Sequence, residues 1–386
     1  VNAPADNTIT GNTPTYINYI LSEDTYSTFF DENGILKPQT TPKDIHFLIN
    51  GTIANKNIII NNNMTITITN YNNALLINST ITTLGTTNLN MSNIKIVNTN
   101  NKVAIELNTP TNTILYNNIT TNTNAINVIN STTLTINYNN ITATGTSNVT
   151  AISIKNSKTS LNIQYNNIKT TGPSLPVDWI TGRVGTNSLE ILNTTRMIIS
   201  YNNITTTYNS ENGEYDTIYS INIVNPEHLT LPNQVYSNNI YTYGNNYAYG
   251  INMINQSVYL THDNIITKAK VQATGVQATQ SSSYILGGGT YGIINIDFIS
   301  SSPYAYGVVL SLCDDLTIQG NNFKLNGTNS IGISVYKSEN TIIESNDFKL
   351  DGDIQKEIEI IKSNITTITS NTIDTNAKNT SHAPIE

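Results

Sequence analysis

One cysteine in 386 residues rules out an internal disulfide framework and any cysteine-based metal cluster. Charge is scarce as well. Asp, Glu, Lys and Arg make up 11% of the chain, and only Arg183 and Arg196 are arginines. With 18 Lys plus Arg against 26 Asp plus Glu, and a formal net charge of −8, there is no basic surface for nucleic acid or for an anionic membrane. No run reaches the ~18 apolar residues of a membrane-spanning helix, and no stretch reads as a signal peptide. The four histidines, His46, His228, His262 and His382, are scattered without metal-ligand spacing. The sequence begins at Val1 and not at Met, so further sequence is expected in the natural protein.

What the chain has instead is asparagine, about one residue in six, together with Thr, Ile and Tyr. The pentapeptide "YNNIT" occurs at 116–120, 138–142 and 201–205, with "YNNIK" at 165–169. Aligning on its last apolar residue gives a column: Ile94, Ile119, Ile141, Ile168, Ile204, Ile240, Ile265, Phe298, Phe323, Phe348 and Ile373. Two positions upstream runs a second column of Asn117, Asn139, Asn166, Asn202, Asn238, Asp263, Asn321, Asn346 and Asn371. A third pairs a small residue with an aliphatic one, as in Ala104-Ile105, Ala125-Ile126, Ala151-Ile152, Gly250-Ile251, Gly307-Val308 and Gly332-Ile333. Each of these opens a period-two run rich in β-branched residues, which is the pattern of strands.

A repeat of 22–27 residues made of short strands cannot bury its apolar face by itself, but stacked coils can. Leucine-rich repeats would need a helical half that is absent, and propeller blades would need about 40 residues each. The expected fold is therefore all-β: a right-handed parallel β-helix solenoid of about twelve coils, a rod on the order of 55–60 Å long. In this reading the pentapeptide's Ile enters the core, while its Asn pair makes the corner and stacks as an amide ladder. Cys313 falls in a column with Ser131, Ser157, Ser338 and Ser363, a small residue near a turn with no histidine partner for catalysis. Residues 1–50 read as an N-terminal segment and cap, 51–375 as the β-helix, and 376–386 as a tail. Within the first, "SEDTYSTFF" (22–30) predicts a short capping helix with Ser22 as N-cap and Glu23 and Asp24 in its first turn.

The stretch "DTYSTFFDENGIL…INGTIANKNIIINNN", followed by coils of "YNNIT" and "YAYGI", resembles the adhesin-like surface proteins of methanogenic archaea. The likeness covers most of residues 22–375. It implies an exported protein of the cell surface or cell wall that contacts other cells, surface glycans or proteins. It brings no catalytic motif and no ligand residues.

Many β-helices cut polysaccharides, so an enzyme is the alternative to test. Lyases of this kind need clustered carboxylates for calcium and an Arg or Lys base. Glycosidases need two or three carboxylates on adjacent coils. The chain offers only Asp314-Asp315, an acid pair at a turn, and "YGI" at 249–251 and 291–293 without the acids that would complete an epimerase motif. A non-enzyme is expected. The fourteen Asn-x-Ser/Thr sequons, Asn118, Asn140, Asn203 and Asn364 among them, follow from the composition.

Function on a regular rod concentrates where loops interrupt the coils. One insertion, "TGPSLPVDWITGRVGTN" (171–187), holds the only Trp; a second, "TTYNSENGEYDT" (206–217), follows the same corner one coil on. The next coil carries "YTYGNNYAYG" at 241–250. All three are expected to leave the rod at one corner and stack as a patch of Asp178, Trp179, Arg183, Tyr208, Glu211, Glu214, Tyr215, Asp216, Tyr241, Tyr243 and Tyr247. Flat rings with carboxylates suit sugar or protein recognition, against which stands the plain alternative of tolerated decoration. No cofactor is expected, although Asp178, Glu211, Glu214 and Asp216 offer oxygen ligands for a Ca²⁺. Insertions at 226–233 and 277–291 leave at the opposite corner. Three functions stay open: an adhesin-like binding module, a passive stalk of the cell envelope, and a polysaccharide-active lyase or hydrolase.

Overall fold

The computed structural model of the chain describes residues 16–39, 44–157, 160–173, 175–176, 185–209, 216–226, 233–256, 258–279 and 291–375. Short strands alternate with tight corners, and apart from the two-residue strand Leu175–Pro176 the strands of one coil pair in parallel with the equivalent strands of the next. A representative coil contains Thr133–Asn137, Asn140–Thr144 and Thr150–Lys155. Its successor lays Ser160–Gln164, Asn167–Gly172 and Asn187–Leu192 upon them. The first and second strands of the coils merge into one sheet, because Asp44–Ala54 and Thr65–Ile77 each run through the corner between them. The third strands form a separate sheet whose path has twelve members among the described residues. The protein is a right-handed parallel β-helix. Pairing starts with Tyr16–Leu21 on Asp44–Ile49, so the expected boundary at residue 50 falls inside a strand.

Alternation builds the core. In Asn140–Thr144 the side chains of Ile141 and Ala143 are fully buried between exposed Asn140 and half-exposed Thr142. The apolar column is buried from Ile119 through Phe348, whereas Ile373, on the last coil, is 54% exposed. One member needs correction. Ile119 pairs with Ile96, not Ile94. Ile94 is also buried, but it occupies the asparagine column, its N–H donating to Asn117 Oδ1 at 3.0 Å. Phe298, Phe323 and Phe348 stack with centroids 4.8 Å apart and rings within 9° of parallel. Glycine faces them at Gly275, Gly307 and Gly332, where a Cβ would collide with the Phe ring of the next coil.

The amide ladder is built as expected. Each column Asn donates its own N–H and its Nδ2 to the Oδ1 of the next, as Asn139 does to Asn166 at 2.9 and 3.0 Å. The same Nδ2 reaches back to the Ile114 carbonyl at 2.9 Å. The run continues through Asn202 and Asn238 to Asp263, then resumes from Asn321 to Asn346 and Asn371. Between the two runs stands Ile296. A second buried ladder, of hydroxyls, links Thr170, Ser188, Thr206, Ser220 and Thr242 at 2.7–2.9 Å. Cys313 is buried, its N–H donating to Ser338 Oγ at 2.9 Å, as Ser338 in turn donates to Ser363 Oγ at 3.1 Å.

In the four pentapeptide coils asparagine does not supply the left-handed corner before the second strand, although Asn93 and Asn295 take it in two others. The tyrosine ahead of the Asn pair supplies it: Tyr116, Tyr138, Tyr165 and Tyr201 have φ of 56–59°. The Asn side chain is needed inside, so the preceding residue takes the bend. Left-handed backbone costs roughly 1–2 kcal/mol per residue. Stacking offsets part of it, since the four rings lie 4.8–4.9 Å apart and within 12° of parallel. The Tyr165 phenol is held above its ordinary pKa, first by desolvation and then by its Tyr138, Tyr201 and Tyr236 neighbours.

The N-terminal cap is smaller than the sequence suggests. The helix is a single turn, Tyr26–Phe29, with Thr25 as N-cap and no capping side chain. Glu23 has another partner: it accepts from the Ala54 N–H at 3.0 Å and pairs with Lys56 at 3.1 Å. That backbone donor is the first cause of its lowered pKa. The cap's work is done by rings. Phe30 stacks on Tyr26 at 4.9 Å, and Phe29 and Phe30 both meet Phe47 of the first coil.

Candidate recognition site

Three consecutive coils turn the corner between second and third strands within the region of the insertions. The second strands Asn167–Gly172, Asn203–Tyr208 and Asn239–Tyr243 stack in register, with Tyr208 opposite Gly172, Tyr241 opposite Thr205 and Tyr243 opposite Thr207. The third strands follow: Thr217 lies opposite Tyr247. Tyr208, Tyr241, Tyr243 and Tyr247 are all half-buried at this corner. Period-two alternation turns Tyr241 and Tyr243 outward, while Thr242 between them is fully buried in the hydroxyl ladder.

Two contacts tie the insertions to each other. Leu175–Pro176, from the first, pairs antiparallel with Asp216 and Thr217 at the end of the second. Asn209, where the second begins, donates its N–H to Gly172 O at 3.0 Å and its Nδ2 to Gly145 O at 2.8 Å, reaching back over two coils. The stretch 241–250 differs from the expectation: it stays on the rod. Tyr241–Tyr243 closes one strand, Tyr247–Ile254 opens the next, and Gly244 and Asn245 bond to Lys268 and Lys270 of the following coil. The backbone there has inter-coil partners and no reason to leave.

Asp216 is fully buried, so it is no surface carboxylate of the corner. Asp178, Trp179, Arg183, Glu211, Glu214 and Tyr215 lie outside the described residues, as do most of 226–233 and 277–291. The proposed Ca²⁺ ligands thus divide: one is buried and three are outside the described residues. Among the described residues no three His, Cys, Asp or Glu side chains gather as a metal set.

Further tyrosines, one of them buried, adjoin this corner and carry no mark in the insertions. Tyr219 and Tyr249 stack at 5.0 Å just beyond the corner, and their row continues through Thr274 to Tyr306. Burial pushes the Tyr249 phenol up to about 12 and Tyr219 higher still. Tyr304, 45% exposed, lies in the row of Tyr247. The signal was the doublet "YAYG" at 247–250 and 304–307, which puts two rings on one face of a strand.

The acid pair has structural partners. Asp314 Oδ1 accepts from the Glu339 N–H at 2.8 Å, and Asp315 Oδ1 accepts from Asn340 Nδ2 at 3.1 Å. Asp315 takes the left-handed turn position, with φ 54°.

Neither a protein-family model nor a curated protein matches the chain. Among solved structures it is similar to the surface protein and adhesin PfbA of Streptococcus pneumoniae, at 11% identity and a TM-score of 0.28 over 91% of this chain and 93% of that one. No described helix is long and apolar enough to cross a membrane, which leaves strand-built membrane barrels unaddressed.

Proposed function

We propose that the chain is a cell-surface, adhesin-like module that holds a recognition corner on a stiff rod and attaches to a glycan or protein of another cell. The observation that carries this reading is the junction of the insertions: Leu175–Pro176 pairs with Asp216 and Thr217 beside Tyr208, Tyr241, Tyr243 and Tyr247. Decoration that merely tolerates a site has no need to link loops from successive coils. Half-exposed tyrosines give large, rigid contact area at low entropic cost, and they are common at interface hot spots. The sequence resemblance to methanogen surface proteins agrees with this placement at the cell envelope.

The test is a glycan and cell-binding array probed with the intact chain and with a variant whose 173–185 and 209–215 segments are trimmed to the short corners of neighbouring coils. The expected result is retention on a subset of cells or glycans that trimming abolishes while the melting curve is kept. Equal retention by both forms, or none by either, contradicts the reading.

A further inference from the structure

The stacked tyrosines at the other corner have one end that faces a cleft. Tyr116 stacks on Tyr138 on one side. On the other side the preceding coil places Asn93, an amide and not a ring, at the equivalent corner. Tyr116 is accordingly 55% exposed, against 45–47% for Tyr138, Tyr165 and Tyr201. One coil further back, the corner inside Thr65–Ile77 is enlarged. Residues 70–74 replace the usual two-residue turn, the register shifts opposite Asn50, and Asn70 Oδ1 closes the bulge by accepting from the Ala74 N–H at 3.0 Å. The bulge, the corner of Asn93 and the ring of Tyr116 together line one open cleft of ≈ 500 Å³, whose polar side chains are Asn70, Asn73, Asn93, Asn118 and Lys95.

We propose that this cleft is a saccharide subsite that seats one pyranose unit against the outer face of Tyr116. The chemistry fits. An aromatic face takes the C–H-rich side of a sugar ring, four amides offer both donors and acceptors to its hydroxyls, and the single ammonium of Lys95 adds a donor. No carboxylate lines the cleft, and its volume is within the range of small-ligand sites. The ring is preorganised, because the stack beneath holds it in place and ordering it on binding costs little. The site is separate from the insertion corner of coils 160–254, so the two readings stand or fall independently.

Saturation-transfer NMR of the full chain with methyl glucopyranoside, methyl galactopyranoside, N-acetylglucosamine and methyl glucuronide, each up to 50 mM, tests the proposal. At least one should bind the native protein. Tyr116→Asn, which puts at this corner the residue that already holds the same backbone at Asn93, should weaken that sugar at least fivefold. Tyr116→Phe should hold it within about threefold, since the ring face is kept. Tyr201→Asn, at the far end of the stack, should leave it unchanged, and melting curves report whether each variant is folded. Absence of binding by all four sugars overturns the proposal. So does a folded Tyr116→Asn variant that binds as the native chain does.

Discussion

At the scale of single residues, the amide ladder is the clearest case of sequence dictating structure, and its irregular rung is the most informative. Asp263 takes the place of an Asn. Its Oδ1 plays the amide oxygen, accepting from the N–H and Nδ2 of Asn238 at 2.8 and 2.9 Å. Its Oδ2 stands where other rungs have a donating nitrogen, and has no hydrogen-bond partner among the described residues. Burial dominates, lifting the carboxyl from 3.8 to about 7 against the lowering effect of the Asn238 donors. Between those two values the folded state holds a proton that the unfolded chain has released. Stability therefore falls as pH rises from about 4 to about 7, and is lowest and level above that. The shift corresponds to on the order of 4 kcal/mol. Asp263→Asn restores a donor at the Oδ2 position. It should stabilise the rod at pH 8 and flatten its urea midpoint between pH 4 and 8. A variant whose midpoint keeps the native pH slope would show that Asp263 is not the titrating rung. Residue identity also misleads at this scale. A reading from propensity puts Asn at the left-handed bend, yet in the four pentapeptide coils tyrosine takes it, because the buried ladder has the stronger claim on the amide.

Elements were legible wherever they repeat. Strand period, coil length and the inward column from Ile119 to Phe348 all follow from spacing, since coils that stack in register must repeat their buried positions. Legibility failed where the repeat is locally doubled or broken. "NIKIVN" presents two isoleucines two apart, and only the pairing with Ile119 shows that Ile96 is the column residue. The five-residue bulge at 70–74 breaks the frame just upstream, so spacing had nothing to count from. The insertions were located by the coil's interruption, but the side chains they bring together do not repeat, and no period predicts them. Tyr241–Tyr243 looked like part of an insertion by composition; its alternation, with Thr242 inward, keeps it in a strand. For the core, the account predicts a steep cost at the middle of the Phe stack. Phe323→Ala removes a ring held 4.8 Å from a partner on each side and should destabilise by about 3–5 kcal/mol in urea melts. A loss below about 1 kcal/mol would mean that the neighbouring coils collapse onto the space and that the stack is not what sets their spacing.

For the whole molecule, the rod explains what composition could not. A chain this poor in charge and this rich in asparagine folds because its polar side chains are put to use: inside as ladders, outside as stacks at the corners. Such a scaffold repeats one surface over most of its length, and what does not repeat lies at the corners. The function proposed above assigns recognition to the corner of coils 160–254. Trp179 tests it most directly, being the chain's only tryptophan and part of the insertion that Leu175–Pro176 ties to Asp216 and Thr217. The measurement is the affinity of Trp179→Ala for the cells or glycans that retain the intact chain, taken together with its melting temperature. The account predicts binding weakened by more than ~1 kcal/mol with the melting temperature unchanged. A sharp drop in melting temperature with binding intact would contradict it and make Trp179 a staple that holds its loop to the rod.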